Sequence, residues 1–187
     1  DRVQKFDSNG NFIMKFGSQG TGDGQFTSVT DITTDSSGNI YVAEQAGGFR
    51  VQKFDSNGNF ILKWGSKSAG EAHNPPWAED GTFFAAYGIA TDSSGNVYVS
   101  ETYSCRVQKF DSNGNFIMKF GTQGTGDGEF NYARSMAIDN SGNIYVADEL
   151  NSRVNKFSSN GDFILTFGTV GSGDGELRSP TGVSVDN

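Results

Sequence analysis

Residues 106–116 read Arg-Val-Gln-Lys-Phe-Asp-Ser-Asn-Gly-Asn-Phe, which is a short strand pattern, a turn and the start of another strand. The same run begins at Arg2 and at Arg50, and a variant of it begins at Arg153. These starts are spaced 48, 56 and 47 residues apart. A second unit, Gly-Asn-Ile/Val-Tyr-Val, precedes three of the copies and begins at Gly38, Gly95 and Gly142. Self-similarity at this period indicates a repeat architecture.

Each full repeat contains four strand candidates, a to d. In the third repeat they are Gly88–Asp92, Asn96–Glu101, Arg106–Asp111 and Phe116–Gly121. The a–b and c–d turns both end in Gly, which is typical of hairpin loops with a left-handed residue. Strand b is almost continuously apolar, as expected when neighbouring sheets cover both of its faces. The sequence therefore predicts an all-β fold, a β-propeller of four-stranded antiparallel meander blades.

The chain contains about four repeats, of which three are complete and one is split between the termini. The predicted units are strands c–d of a first blade at 1–17, full blades at 29–65, 86–121 and 134–168, and a strand a at 180–187. Three arrangements remain open. The chain is a segment of a longer, six-bladed propeller, or an incomplete four-bladed ring, or a unit that pairs with another copy through unpaired strand edges.

The repeat resembles the NHL-repeat family. The resemblance is carried by Gly-Ile-Ala-x-Asp-x-x-Gly-Asn-x-Tyr-Val-x-Asp/Glu, which begins at Gly88, followed by Arg-Val-x-Lys-Phe and Gly-x-Phe. The resemblance implies a propeller, six-bladed in most members, that serves as a binding platform. A minority of related propellers are enzymes, such as amidating lyases that use metal ions. We therefore expect a non-enzymatic binding or scaffold module.

Composition limits the class of partner. The chain has 187 residues and a formal net charge of −8, which opposes nucleic acid and anionic membrane surfaces. No apolar stretch approaches the roughly 20 residues of a membrane-spanning helix. The single cysteine, Cys105, excludes an internal disulfide but leaves the compartment unknown, with an extracellular or secreted location slightly favoured. Because the chain starts at Asp1 without an initiator Met, we interpret it as a processed or excised segment.

The b–c and d–a loops differ between copies, whereas the a–b and c–d turns hardly vary. In an up-and-down meander both variable loops lie on one face, and such loops are where an asymmetric site can be built. We expect a protein or glycan partner to bind there. A long insertion at 67–80 carries two of the candidates, His73 and Trp77. The remaining candidate residues are Asp31, Phe49, Tyr87, Tyr103, Arg134 and Glu149.

Metal and cofactor chemistry has weak support in the sequence. A catalytic zinc site usually has three protein ligands, often several of them His, and this chain has one His. No cofactor is predicted, while calcium at the channel, bound by Asp31 and other strand-a carboxylates, stays an open alternative. The first alternative function is a propeller-type hydrolase or lyase with a metal in the central channel. The second is a structural repeat segment that self-assembles.

Overall fold

The computed structural model describes residues 1–68 and 79–186, which form β-strands, turns and connecting segments without a helix. Within this part of the chain no helix could cross a membrane. The first blade is a two-stranded hairpin of β1 (Val3–Phe6) and β2 (Phe12–Phe16). A connector follows in which β3 (Ser18–Gln19) pairs in parallel with β4 (Gln25–Phe26).

Three four-stranded antiparallel sheets follow the first blade, and in each one the strand order is the chain order. The second blade contains β5 (Val29–Thr34), β6 (Ile40–Glu44), β7 (Arg50–Phe54) and β8 (Phe60–Trp64). The third contains β9 (Ala86–Thr91), β10 (Val97–Glu101), β11 (Arg106–Phe110) and β12 (Phe116–Phe120). The fourth contains β13 (Ala133–Ile138), β14 (Ile144–Asp148), β15 (Arg153–Phe157) and β16 (Phe163–Phe167). The predicted four-stranded meander is confirmed.

The strand bounds differ slightly from the sequence prediction. In the third blade strand a begins at Ala86 rather than Gly88, because Glu101 at the end of β10 pairs with Ala86 across a register shift. The strand a predicted at 180–187 is not formed as a strand over 180–186. A strand needs hydrogen-bonded neighbours, and the described residues contain no strand b that follows this segment.

The repeated Asp residues hold the hairpin turns. In the a–b turn of the third blade, the Asp92 carboxylate accepts hydrogen bonds from the amides of Ser94 and Asn96, both at 2.9 Å. The side-chain amide of Asn96 donates to the second oxygen of the Asp92 carboxylate, at 2.8 Å. Gly95 has a φ of 82°, a left-handed conformation that favours glycine. These contacts explain why Asp-x-x-Gly-Asn recurs in the a–b turns.

The core lies between the blades. Phe120 on β12 packs on Phe157 of β15 in the next blade, with 4.7 Å between ring centroids. Phe130, in the connector between them, lies 5.5 Å from Phe157 and is fully buried. Strands β6 and β10 are buried along their whole lengths, as the apolar pattern of strand b predicts.

The first strands of the three four-stranded sheets lie side by side and line an opening, here called the channel. The hydroxyl of Thr30 on β5 donates to the carbonyl of Ala86 on β9, and Ser100 donates to the carbonyl of Arg134 on β13. Residues 183–185 line the same opening. The ring is not closed, since the end faces of the chain remain open: Phe6 is 50% exposed and Phe167 is 47% exposed.

Candidate functional site

The two variable loop classes lie together on one face of the blades. The hydroxyl of Thr102, in a b–c loop, donates to the carbonyl of Ala133, the first residue after a d–a connector, at 3.1 Å. In the next blade the amide of Glu149 donates to the carbonyl of Tyr132, also at 3.1 Å. Loops that differ most between copies therefore form a continuous surface around the third and fourth blades.

Arg134 is the centre of this surface. Its guanidinium carbon lies 4.3 Å from the ring centroid of Tyr87 and 5.7 Å from that of Tyr132. Its Nε donates to the Glu149 carboxylate. The Tyr103 ring meets the Tyr132 ring edge to face, with 5.4 Å between centroids. We call these residues the tyrosine–arginine cluster: Tyr87, Tyr103, Tyr132, Arg134 and Glu149.

Register explains how β9 and β13 contribute to the cluster. Tyr87 and Arg134 each follow the alanine that begins strand a, so they occupy equivalent positions in neighbouring blades. Thr30 holds that position in the second blade and is used instead for an inter-blade hydrogen bond. One register position thus carries Thr, Tyr and Arg in successive blades, which makes the surface asymmetric.

The cluster is preorganised and partly accessible. The side chains of Arg134 and Glu149 are 20% and 18% exposed, so both are partly open to solvent. Tyr132 has a φ of 72°, an unusual conformation for a bulky residue. Ser179, at the equivalent position of the repeat, also has a positive φ, of 45°, so this conformation recurs in the repeat. The sequence analysis missed Tyr132, although it departs from the repeat as the other candidates do, since Ser28, Ala85 and Ser179 stand at its position.

Asp31 lies at the channel rather than in the cluster. Its carboxylate accepts hydrogen bonds from the amide of Ile89 in the next blade, at 3.0 Å, and from the amide of Ile32, at 2.9 Å. Burial raises its pKa above the usual range, although both hydrogen bonds oppose this. Asp31 therefore links β5 to β9 at the channel wall.

The other candidates lie apart from the cluster. Phe49 packs against the core between the second and third blades, with the ammonium of Lys67 5.7 Å from its ring centroid. His73 and Trp77 lie outside the described residues. The part of the chain that the structure describes holds no group of three or more His, Cys, Asp or Glu side chains placed to bind a metal ion.

Comparison with known proteins agrees with this architecture. A family model, DUF5128, described as a 6-bladed β-propeller, matches residues 88–148, about a third of the chain. A structure of a protein of unknown function from Bacteroides thetaiotaomicron superposes with a TM-score of 0.69 at 17% identity, covering 96% of this chain and 46% of that one. The chain has a β-propeller fold.

Enzymes share this propeller fold. Virginiamycin B lyase from Staphylococcus aureus superposes with a TM-score of 0.59 at 14% identity, covering 87% of this chain and 47% of the lyase. Hydrazine synthase from Kuenenia stuttgartiensis superposes with a TM-score of 0.55 at 13% identity, covering 80% and 39%. The propeller chain thus spans about half the length, or less, of these structures. No curated protein sequence matches it significantly.

Proposed function

We propose that this chain is a non-enzymatic binding module of NHL-type blades, whose tyrosine–arginine cluster binds a segment of a partner protein. The observation that carries the proposal is that the Arg134 guanidinium lies over the rings of both Tyr87 and Tyr132, on the face where the repeats diverge. Tyr and Arg are the residue types most enriched among energetically dominant interface residues. A rigid arrangement lowers the entropic cost of binding because fewer side chains must be ordered.

The geometry favours a protein segment over a glycan. Sugar rings stack on open aromatic faces, whereas the guanidinium of Arg134 lies over the face of Tyr87. In the Tyr103–Tyr132 pair, the edge of one ring points at the face of the other ring. This contact covers a second aromatic face. The charged side chains of Arg134 and Glu149 remain 20% and 18% exposed at this surface. These groups suit the backbone carbonyls, amides and side chains of a peptide.

The test is selection of a displayed peptide library on the folded chain, followed by affinity measurements on the enriched peptides. Arg134→Ala and Tyr103→Ala should each weaken binding by about 30-fold or more, the effect of losing a dominant interface residue. The matched control is Ser93→Ala with Ser94→Ala, in an a–b turn on the opposite face, which should leave affinity unchanged. Peptides that bind the control variant and the cluster variants equally well would refute the proposal.

A parallel glycan array distinguishes the two partner classes. Enrichment of glycans, with loss of their binding in Tyr103→Ala, would show that the surface binds sugars and would contradict the protein assignment. Adding Trp77→Ala to these variants tests whether the insertion also contributes to the bound surface. Circular dichroism of each variant confirms that the blades remain folded.

A further inference from the structure

Neighbouring blades are joined by a repeated set of polar contacts. Arg50, on strand c of the second blade, donates to the carbonyls of Thr21 and Gln25 in the preceding connector, at 2.7 and 2.8 Å. Gln52 donates to the same Gln25 carbonyl at 2.8 Å. Lys63, on strand d, forms an ion pair of 2.5 Å with Asp23 of the connector.

The third blade repeats these contacts with the connector that precedes it. Arg106 and Gln108 both donate to the carbonyl of Thr82, at 3.0 and 2.9 Å. Lys119 pairs with Asp80 at 2.6 Å. The contacts are therefore a rule of this repeat rather than a feature of one blade.

The first blade carries the same three polar side chains without partners among the described residues. Arg2, Gln4 and Lys15 occupy the positions of Arg50, Gln52 and Lys63 in the repeat. All three are exposed. Phe6 is 50% exposed, whereas Phe54 at the equivalent position is 1% exposed. We call this surface the head face: Arg2, Gln4, Phe6, Phe12 and Lys15.

The last connector carries the complementary groups. Asp174 stands at the position of Asp23 and is exposed, with no ion pair within the described chain. The carbonyls of Ser172 and Glu176 stand at the positions that accept from Arg50 and Gln52 in the first connector. Phe167 is 47% exposed, whereas the equivalent Phe120 is 9% exposed. We call this surface the tail face: Phe167, Ser172, Asp174, Glu176 and Leu177.

We propose that the chain associates head to tail, with the head face of one copy docked on the tail face of a second copy. The two faces are the two halves of an interface that the chain already forms between its own blades, and they do not meet within one copy. The docking would place two cations, Arg2 and Lys15, against Asp174 and backbone carbonyls, and Phe6 against Phe167 and Leu177. The repeat chemistry therefore fits a second copy of this chain, whose end faces carry the complementary groups.

The expected association is weaker than an internal blade contact. Within the chain, Arg50 also pairs with Glu44 of strand b, at 2.6 Å, and Arg106 pairs with Glu101 in the same way. The described first sheet is the hairpin of β1 and β2, in which Arg2 has no such carboxylate beside it. Because the two faces differ, the contact is heterologous, and it produces rings or open chains according to the rotation between copies.

The test is solution mass by light scattering or sedimentation across a concentration series. The wild-type chain should rise from its 20.0 kDa monomer to larger species. Asp174→Lys or Lys15→Asp alone should shift this rise to at least tenfold higher concentration, because each creates a like-charge contact between head and tail. An equimolar mixture of the two variants should restore association, since every mixed head–tail contact then joins opposite charges.

The matched control is Asp127→Lys. Asp127 holds the same connector position as Asp174, but Thr166 replaces the lysine that would face it, so this change should leave association unaltered. Asp127, Asp174 and Lys15 are exposed, and thermal unfolding verifies that each variant is folded. A constant monomer mass for the wild-type chain would overturn the proposal. So would a mixture that fails to restore association, because it would show that head and tail do not meet.

Discussion

Arg50 and Glu44 form a buried ion pair, with 2.6 Å between Nε and Oε2 and side-chain exposures of 6% and 0%. Glu44 also accepts from the amide of Thr27 and the side chain of Gln52, both at 2.9 Å. Arg50 extends from this pair to the connector carbonyls. The pair therefore fixes the connector to the blade, and it recurs as Glu101–Arg106 and Asp148–Arg153.

Removal of the buried carboxylate should be costly. Glu44→Ala would leave the charge of Arg50 buried without its anion, and breaking a buried pair typically costs about 3–5 kcal/mol. The measurement is the free energy of unfolding in urea. The control is Asp23→Ala, which breaks the ion pair between Asp23 and Lys63. The side chain of Lys63 is 44% exposed and that of Asp23 is 55% exposed. That exposed pair should contribute less than about 1 kcal/mol. Equal losses of unfolding free energy in the two variants would show that burial does not set the contribution of the Glu44–Arg50 pair.

The fold could be predicted from the sequence because its signals are local and repeated. The Gly that ends each turn is required by backbone conformation, and the apolar strand b is required by burial. The c–d turn occurs in four copies and strand b in three, so each signal is repeated along the chain. The Glu44–Arg50 pair was not predicted, since it forms between side chains across a hairpin. The signal for it was present, because an acid ends every strand b, at Glu44, Glu101 and Asp148.

The candidate site could be predicted in part. Divergence between copies selected Tyr87, Tyr103, Arg134 and Glu149, which the structure brings together. Divergence cannot distinguish a surface residue from one that packs inward, and Phe49 lies against the core. Such a distinction depends on the register of each loop, which repeat comparison does not provide.

The turn aspartates should titrate at low pH. The side-chain hydrogen bond from Asn115, with backbone hydrogen bonds, lowers the pKa of Asp111 below 3.8. Asn115→Ala removes the main cause, so the pKa of Asp111 should rise toward that value. NMR titration of the Asp111 carboxyl measures the change. The pKa of Asp55, held by Asn59 in another blade, should stay unaltered in the same variant and serves as the internal control.

Gly121 is required by both its backbone and its surroundings. It has a φ of 87°, and a side chain there would overlap the buried ring of Phe130. Gly95 has a similar φ of 82° but open space around it. Gly95→Ala should cost about 1–2 kcal/mol of stability from backbone strain alone. Gly121→Ala should cost a further 1–3 kcal/mol, roughly, from overpacking, and equal costs in urea unfolding would refute the steric argument.

Asp31 should make stability depend on pH in the direction opposite to that of the turn aspartates. Its pKa is raised by burial, so the folded state binds the proton more tightly than the unfolded state does. The stability that this proton linkage at Asp31 contributes is therefore fully present below pH 3.8, the ordinary pKa of Asp. It is lost as the pH rises through the pKa of Asp31 in the folded state. Asp31→Asn cannot ionise and keeps an acceptor oxygen for the amide of Ile89. The variant should gain stability relative to the wild-type chain as pH rises.

Urea unfolding of both proteins across a pH series measures this difference. Asp111→Asn is the control of opposite sign, because the pKa of Asp111 is lowered in the folded state. The stability that Asp111 contributes is therefore present above pH 3.8, the ordinary pKa of Asp. That variant should lose stability relative to the wild-type chain as pH rises. If the difference between Asp31→Asn and the wild-type chain did not change with pH, burial would not be the dominant influence on Asp31. The carboxylate would then be balanced by the amides of Ile32 and Ile89 that donate to it.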